Sequence, residues 1–378
     1  MKGPRSLIYW VAAASCLMLA SCSPPQGDIT LQGSGATFPA PLYKRWFLEY
    51  YKQHPEVRIN YTPVGSGAGI RQFTAELVTF GASDAGMSKS EIGKLPLAFG
   101  SVSLLPMTAG SIVLCYNLPE LSGPLKLSRK AYLGIFLREI TAWDDPEITR
   151  ENPNLHLPST AITVVTRADS SGTTFAFTNH LHAVGEDARV GMKWLPGVDK
   201  SVSWKESIAA QGNDGVAALI QLTPGAIGYL EYGFADLAKL PMAALQNHAG
   251  KFIHPDLEDC RKALEGASIP EDLQIRVPDP VKNPDAYPIV TYTWLLCRKH
   301  YANAQEAQTL KEVLSFCLAE GQGFSADLGY IPLPKDVVQK VKEAVDHMET
   351  GSLTASGPDE IPRQLRHAHL LPREAAGS

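Results

Sequence analysis

A short strand that ends in a glycine-rich loop and leads into a helix occurs twice at the start of this chain, and a third strand follows. The helix predicted after the first loop, over 39–51, places Leu42, Trp46 and Tyr50 on one face at four-residue spacing. Repeated strand, loop and helix predict an α/β fold whose loops lie together at the carboxyl ends of the strands. The three predicted strands are 31–32, 57–61 and 80–82.

Four polar segments near the ends of predicted strands contain groups suited to a small oxyanion. They offer serine and threonine hydroxyls, backbone N–H groups exposed by glycine, and the guanidinium of Arg167. Asp84 is the exception, because a carboxylate beside an anion is favourable only when the anion carries a proton to donate. That condition indicates phosphate. The four segments are 33–39, 65–69, 81–85 and 167–175.

The N-terminal residues have the pattern of a bacterial export signal. A basic start precedes an apolar stretch over 7–19 that is too short for a comfortable membrane span. The sequence Leu-Ala-Ser-Cys ending at Cys22 matches the lipobox of lipoproteins, in which the signal is removed before an acylated cysteine. We predict a signal peptide over 1–21, lipidation of Cys22 and a tether over 22–28. An ordinary secretory signal is the alternative.

Charge and cysteine content exclude some classes of protein. The net charge of −5 argues against a basic surface that binds nucleic acid. An acidic protein that binds an anion has to do so through local dipoles that point at the anion, and not through its overall charge. With Cys16 removed and Cys22 lipidated, four cysteines remain. Export permits disulfides among them, but a core of this size does not require them, and their spacing suggests no zinc site. They are Cys115, Cys260, Cys297 and Cys317.

An enzyme is the main alternative to a binding protein. Ser66 or Ser171 as nucleophile, with Arg167 as oxyanion clamp, would give a phosphatase or an esterase. Such a site needs a base near the serine and usually a metal or triad partner. No histidine lies near the loops in sequence, and no nucleophile elbow, His-Glu-x-x-His or P-loop occurs. We therefore predict binding without catalysis, cofactor or metal; a purely structural lipoprotein would leave the loops unexplained.

Five motifs occur in order along the chain: GSGATFPAP (33–41), FGASD (80–84), RADSSGT (167–173), GNDGV (212–216) and PGAIGY (224–229). Together they resemble the substrate-binding protein of the bacterial ABC-type phosphate importer, from about Leu31 to about Lys342. The resemblance implies a two-lobed type II periplasmic-binding fold, in which the chain crosses twice between lobes that close over the ligand. It also implies delivery of phosphate to membrane permease and ATPase subunits, from the periplasm or the cell surface.

The predicted elements divide the chain into a discontinuous first lobe and an inserted second lobe. The first lobe is predicted over 29–105 and 288–348 and the second over 106–287, with crossings near residues 105 and 287. The segment 349–378 is rich in Gly, Ser, Pro, Arg and His without periodicity, and we predict a disordered tail.

The resemblance implies a set of phosphate ligands. Asp84 would accept a proton from the ligand, Arg167 would supply charge, and Asp169 would hold the arginine fork. The other implied ligands are Thr37, Phe38, Ser66, Ser171, Gly172 and Thr173. Two departures affect the loops. The second loop reads Gly-Ser-Gly-Ala-Gly where many members have two serines followed by two glycines, and Gly86 replaces a frequent proline.

Some alternatives for these residues stay open at the level of sequence. Arg167 and Asp169 could form a surface ion pair of little energetic value. Asp84 could be a helix N-cap, since Ser88 and Glu91 follow it. Sulfate, molybdate or a phosphonate could be the ligand. Sulfate is fully deprotonated at neutral pH, so Asp84 would repel it with no hydrogen bond in return.

Overall fold

The computed structural model describes residues 28–350. The predicted signal peptide, Cys22 and nearly all of the predicted tail therefore lie outside the described residues. Within residues 28–350, no helix is both long enough and apolar enough to cross a membrane. The four cysteines in this range are all buried and unpaired with one another.

In the described part of the chain, eight strands form one mixed sheet, and five short strands form two small ones. The strands are β1 (Ile29–Gly35), β2 (Val57–Pro63), β3 (Phe80–Ser83), β4 (Val102–Tyr116), β5 (Lys126–Leu127), β6 (Thr163–Arg167), β7 (Ser207–Ala210), β8 (Ala226–Glu231), β9 (Ala244–Gln246), β10 (Phe252–Ile253), β11 (Val290–Arg298), β12 (His300–Tyr301) and β13 (Glu349–Thr350). The large sheet has the order β2-β1-β3-β11-β4-β8-β6-β7. Strand β13 lies at the start of the segment predicted as a tail.

Helices lie between most of the strands. In the first of them, Leu42, Trp46 and Tyr50 are buried, as their four-residue spacing predicts. The helices are α1 (Ala40–Gln53), α2 (Ser66–Thr74), α3 (Lys89–Ile92), α4 (Arg129–Leu137), α5 (Pro146–Thr149), α6 (Gly172–Glu186), α7 (Gly212–Leu222), α8 (Tyr232–Leu237), α9 (Leu257–Lys262), α10 (Ala304–Cys317) and α11 (Lys335–Asp346).

The 15-residue strand β4 connects the two halves of the large sheet. Its residues 102–111 pair antiparallel with β11, and its residues 112–116 pair antiparallel with β8. All but one of its residues are buried, as expected for a central strand covered on both faces. The pairing partner of β4 changes from β11 to β8 between Ser111 and Ile112. The two halves of the sheet therefore follow each other along this one strand.

Strand β4 runs through Pro106, a residue that has no N–H to donate to the ladder of a sheet. The structure tolerates this proline at an irregular point in the ladder between β4 and β11. Pro106 lies opposite Trp294, and the register shifts between Thr293 and Trp294. A residue without an N–H can occupy such a bulge, since the regular ladder is already interrupted there.

Candidate functional site

The four polar segments predicted from the sequence meet at one buried place in the structure. Strands β1, β2 and β3 are parallel to one another, and so are β6, β7 and β8. The loops after β1, β2, β3 and β6 therefore leave the carboxyl ends of their strands, where ligands bind in open α/β sheets. Hydrogen bonds join loops of the first sheet half to loops of the second, from Arg167 to Thr37 and from Gly172 to Ser66.

Arg167 and Asp169 form a buried ion pair, so the alternative of a surface pair is wrong. Their side chains are only 1% and 5% exposed. Arg167 donates from Nε to Asp169 Oδ1 at 2.8 Å and from Nη2 to Asp169 Oδ2. Asp169 also accepts from the N–H of Gly212 at 3.0 Å, which ties the pair to the start of α7. Because the Asp169 carboxylate binds the guanidinium through two oxygens and is itself held by Gly212, it keeps the guanidinium in one orientation.

The Thr37 hydroxyl connects the first loop to Arg167. Its Oγ1 accepts from Arg167 Nη2 at 3.1 Å and from Asn213 Nδ2 at 2.9 Å. The amide of Asn213 has a defined orientation, because its Oδ1 accepts from the Glu231 N–H at 3.1 Å. A hydroxyl has two lone pairs and one hydrogen, and both lone pairs are used here. Thr37 is therefore left with a hydrogen to donate.

Ser66 is constrained in the same way. Its Oγ accepts from the N–H groups of Asp84 at 3.2 Å and Gly172 at 3.1 Å. Because two N–H groups already donate to its oxygen, the Ser66 hydroxyl can interact with a further partner only by donating its hydrogen. Helix α2 begins at Ser66, and the polar glycine-rich residues that follow Gly65 are helical despite their low propensity.

Gly67 explains the first departure from the family pattern. Its N–H donates to the Ser170 carbonyl at 2.9 Å, so the second and third loops are in backbone contact. A Cβ on residue 67 would lie 2.1 Å from Ser170 Oγ and 2.5 Å from Ser170 Cβ. A second serine at this position would prevent the approach that the structure shows.

The start of α6 presents several donors. Ser171 is its N-cap and accepts from the Thr174 N–H at 3.1 Å. The Ser171 N–H donates to the Lys200 carbonyl and the Gly172 N–H to Ser66, so these two groups are occupied. Several nearby backbone N–H groups of the described residues have no hydrogen-bond acceptor, and three of them are among the predicted ligands. These three belong to Thr37, Phe38 and Thr173.

Arg167 completes the set of donors. Besides its bonds to Asp169 and Thr37, its Nη1 donates to Thr173 Oγ1 at 3.2 Å. Four of its five N–H groups are therefore engaged, and one on Nη1 is left. Its backbone N–H donates to the hydroxyl of Tyr229 at 3.4 Å, and that hydroxyl also contacts Thr174 Oγ1 at 2.7 Å.

Asp84 is a buried carboxylate among these donors. Burial raises its pKa to about 7, while the Thr293 hydrogen bond and the charge of Arg167 act in the opposite direction. The Thr293 hydroxyl donates to Asp84 Oδ1 at 2.7 Å. The alternative of a helix N-cap is wrong. Ser88 caps α3 and forms a capping box with Glu91.

Gly86 accounts for the second departure from the family pattern. Its φ of +63° cannot be adopted by proline, whose ring holds φ near −65°. A Cβ there would lie 2.3 Å from Gln274 Oε1. Nearby, Arg276 donates to the Ala85 carbonyl at 3.2 Å and lies 4.9 Å from the ring centre of Phe175 on α6. The loop after Asp84 is thus packed under the segment 274–276.

Sequence reasoning did not identify four residues of this site. Asn213 and Tyr229 lie inside the motifs GNDGV and PGAIGY. Those motifs indicated the family, but they did not indicate a role for either residue in the site. Thr293 lies in an apolar strand, and Arg276 in a segment without a motif, so neither had a signal in one sequence. No cluster of three or more metal-ligating side chains occurs among residues 28–350.

Comparison with known proteins places the chain in a family. A family model described as a PBP superfamily domain matches residues 21–320. The phosphate-binding protein PstS of Pasteurella multocida (strain Pm70) is 36% identical over 315 residues, covering 83% of this chain and 89% of the relative. PstS of Methanocaldococcus jannaschii is 35% identical over 371 residues, covering 89% and 92%.

Solved structures share the fold. A high-affinity periplasmic phosphate-binding protein (PfluDING), bound with phosphate, superposes with a TM-score of 0.70 at 21% identity, covering 83% of this chain and 93% of that one. The phosphate-binding protein from Stenotrophomonas maltophilia gives a TM-score of 0.64 at 21% identity with the same coverage. The predicted α/β fold with two type II lobes is confirmed. The chain belongs to the PBP superfamily and, within it, to the family of PstS phosphate-binding proteins.

Proposed function

We propose that this protein binds inorganic phosphate between its two lobes and delivers it to an ABC-type membrane permease. The observation that carries the proposal is the direction of the hydrogen bonds around Asp84. Thr37 and Ser66 each accept two bonds and have only a hydrogen left to give. The proposed ligands are Thr37, Phe38, Ser66, Asp84, Arg167, Ser171, Gly172 and Thr173, with Asp169 in support of Arg167.

The chemistry of this set favours a protonated oxyanion. Hydroxyl, N–H and guanidinium donors fit the oxygens of any tetrahedral anion. Asp84 adds one acceptor, which has a partner only when the anion carries a hydrogen. Phosphate keeps at least one at neutral pH and sulfate keeps none, so an unmatched carboxylate in a dry site acts against sulfate.

Two of the proposed ligands already donate their backbone N–H groups within the protein. The Gly172 N–H is bonded to Ser66 and the Ser171 N–H to Lys200. For Ser171 the free group is therefore the hydroxyl hydrogen, and for Gly172 a role as ligand requires that the Ser66 contact be shared with or replaced by the anion. Thr37, Phe38 and Thr173 are the stronger backbone candidates.

We place the lobe boundaries at the change of strand partner rather than at residue 105. In this proposal the first lobe contains β1, β2, β3, β11 and residues 102–111 of β4, and the second contains residues 112–116 of β4 with β8, β6 and β7. The contacts of Thr37 with Arg167, of Ser66 with Gly172 and of Gly67 with Ser170 then cross between the lobes. The described arrangement corresponds to closed lobes.

A secreted phosphatase is the alternative function. Among the described residues, neither candidate serine has a general base on its oxygen, since Ser66 and Ser171 accept from backbone N–H groups. A serine whose hydroxyl donates to no base is not activated as a nucleophile. We therefore propose a transport protein without catalytic activity, located in the periplasm or at the cell surface and anchored to a bacterial membrane by lipid on Cys22.

Titration of the purified lipoprotein in detergent tests the proposal. Isothermal calorimetry should show one phosphate site per chain and no heat from sulfate at the same concentration. Asp84→Asn, which can donate as well as accept, should bind sulfate measurably. Equal binding of both anions by the wild type would exclude the role of Asp84, and release of p-nitrophenol from p-nitrophenyl phosphate would support the phosphatase instead.

A further inference from the structure

A buried threonine outside the proposed ligand set is bonded to the carboxylate of Asp84. Thr293 Oγ1 lies 2.7 Å from Asp84 Oδ1, and both residues are buried. Within the described residues, this is the only hydrogen bond that the Asp84 side chain makes. An ionised carboxylate can only accept, so Thr293 is the donor.

The sheet places Thr293 beside Asp84. Strands β11 and β3 are antiparallel, with Trp294 opposite Ser83, so the preceding residue of β11 lies level with the residue that follows β3. The bulge between β11 and β4 falls between Thr293 and Trp294. Bulges next to ligand sites redirect a side chain. The position of the Thr293 hydroxyl therefore depends on three strands of the central sheet.

We propose that Thr293 is a positioning residue that keeps Asp84 a hydrogen-bond acceptor and so sets the preference for a protonated oxyanion over sulfate. The proposal rests on the phosphate-binding function above and deepens it. Thr293 donates to one carboxylate oxygen, and the other, Asp84 Oδ2, accepts from no described residue. A carboxylate anchored in this way can offer an acceptor to a ligand that has a hydrogen, and it can offer no donor to a ligand that has none.

The surroundings of Asp84 make this donor important. Burial favours the neutral acid, and the nearby charge of Asp169 does so as well. The charge of Arg167 and the Thr293 hydroxyl favour the ionised form. Four further titratable groups in this region are buried and carry no positive charge: Tyr43, Tyr61, Glu231 and Tyr330. A second cation faces the same loop, since the Arg276 guanidinium donates to the Ala85 carbonyl at 3.2 Å.

Removal of the Thr293 hydroxyl should therefore change selectivity and not only affinity. Asp84 would be present as the carboxylic acid more often, and an acid can donate its hydrogen to fully ionised sulfate. It would also lose the anchor that orients it toward phosphate. A hydrogen bond to a charged group corresponds to a change of about tenfold or more in an equilibrium constant.

The test compares Thr293→Val and Thr293→Ser with the wild type, by calorimetric titration of phosphate and by sulfate competition at pH 7.5. Thr293→Val should bind phosphate about tenfold more weakly and sulfate severalfold more tightly. Thr293→Ser keeps the hydroxyl and should restore the selectivity of the wild type. Thr108→Val is the matched control, because Thr108 is a buried threonine opposite Thr293 whose hydroxyl donates to the Ile331 carbonyl instead.

Two results would overturn the proposal. One is a Thr293→Val protein in which the ratio of phosphate to sulfate affinity equals that of the wild type or of Thr108→Val. The other is a Thr293→Ser protein with the altered ratio. If Thr293→Val does not fold, Thr293→Ala lacks the hydroxyl without added bulk and carries the same expectation. A wild type that binds no phosphate in the same titrations would reject the proposed function itself.

Discussion

At the scale of single residues, the site depends on which partner each oxygen already has. Thr37 and Ser66 are donors because two other groups occupy their lone pairs. Arg167 is held by Asp169 through two of its nitrogens, which makes the shape of the guanidinium as important as its charge. Substitutions that preserve charge but not geometry should therefore be costly here.

Arg167→Lys is expected to weaken phosphate binding on the order of a hundredfold, because an ammonium cannot replace the contacts to Asp169, Thr37 and Thr173. Calorimetry measures the affinity. Arg189→Lys is the matched control, since Arg189 is an exposed arginine also paired with an aspartate, Asp187, and its change should have no effect. Unchanged affinity in Arg167→Lys would remove Arg167 from the site.

The raised pKa of Asp84 predicts how the ligand-free protein responds to pH. Its pKa is about 7 in the folded chain against 3.8 ordinarily, so the folded state binds more protons between these values. The contribution to stability is complete below pH 4 and is lost as the pH rises through 7. In phosphate-free buffer, Asp84→Asn should reduce the fall in Tm between pH 5 and pH 8 by at least about 2 °C.

Asp236→Asn is the control for this measurement, because Asp236 is an exposed aspartate paired with Lys239. Its profile should follow the wild type. Burial also raises the pKa of Glu231, to about 8, so part of the slope should persist in Asp84→Asn. A slope identical to that of the wild type would mean that Asp84 is ionised throughout this pH range.

At the scale of elements, helix starts bring the loops together. Helix α2 begins at Ser66, α6 at Gly172 and α7 at Gly212, and each start is bonded to a residue of the site. Helix N-termini favour negative charge, which is consistent with an anion at this point. Glycine near these starts permits backbone contact that a larger side chain would prevent.

Gly67→Ala should weaken phosphate binding by roughly tenfold, because the new methyl group would overlap Ser170 when the loops meet. The fold should persist, since alanine is the better helix former. Calorimetry and the Tm of the ligand-free protein check both expectations. Gly323→Ala is the control, as a Cβ there would meet no atom within 4 Å. Full affinity in Gly67→Ala would mean that the loops need not approach this closely.

At the scale of the whole molecule, β4 pairs with both halves of the sheet, so in the proposed division the two lobes share this one long strand. Two lobes that are joined by few chain connections and meet through polar contacts can rotate relative to each other about a hinge. A ligand held by both lobes stabilises the closed form by the difference between its affinities for the two forms.

Small-angle X-ray scattering should therefore give a smaller radius of gyration with saturating phosphate than without it. Sulfate at the same concentration is the control and should leave the curve of the ligand-free protein unchanged. Arg167→Lys should need more phosphate to reach the compact form. Identical wild-type curves with and without phosphate would show that the lobes are already closed when the site is empty.

The sequence by itself determined the α/β class, the positions of the four polar segments and the family. These features are local, because strand, loop and helix patterns and the motifs around Thr37, Asp84 and Arg167 occupy consecutive residues. Ser171 at the start of α6 was likewise predictable, since a serine before Gly-Thr-Thr is a favourable N-cap. Their shared location followed from the rule that loops lie at the carboxyl ends of strands.

Only the tertiary structure decided how the groups are oriented. The pairing of Thr37 with Asn213 spans 176 positions, and that of Asp84 with Thr293 spans 209. No local pattern encodes such contacts, because they arise from strand order and from the bulge between β4 and β11. The same holds for the burial of Asp84, which raises the pKa of its carboxyl group to about 7. Residue types were visible in the sequence, whereas donor direction and burial depend on residues that are distant along the chain and adjacent in space.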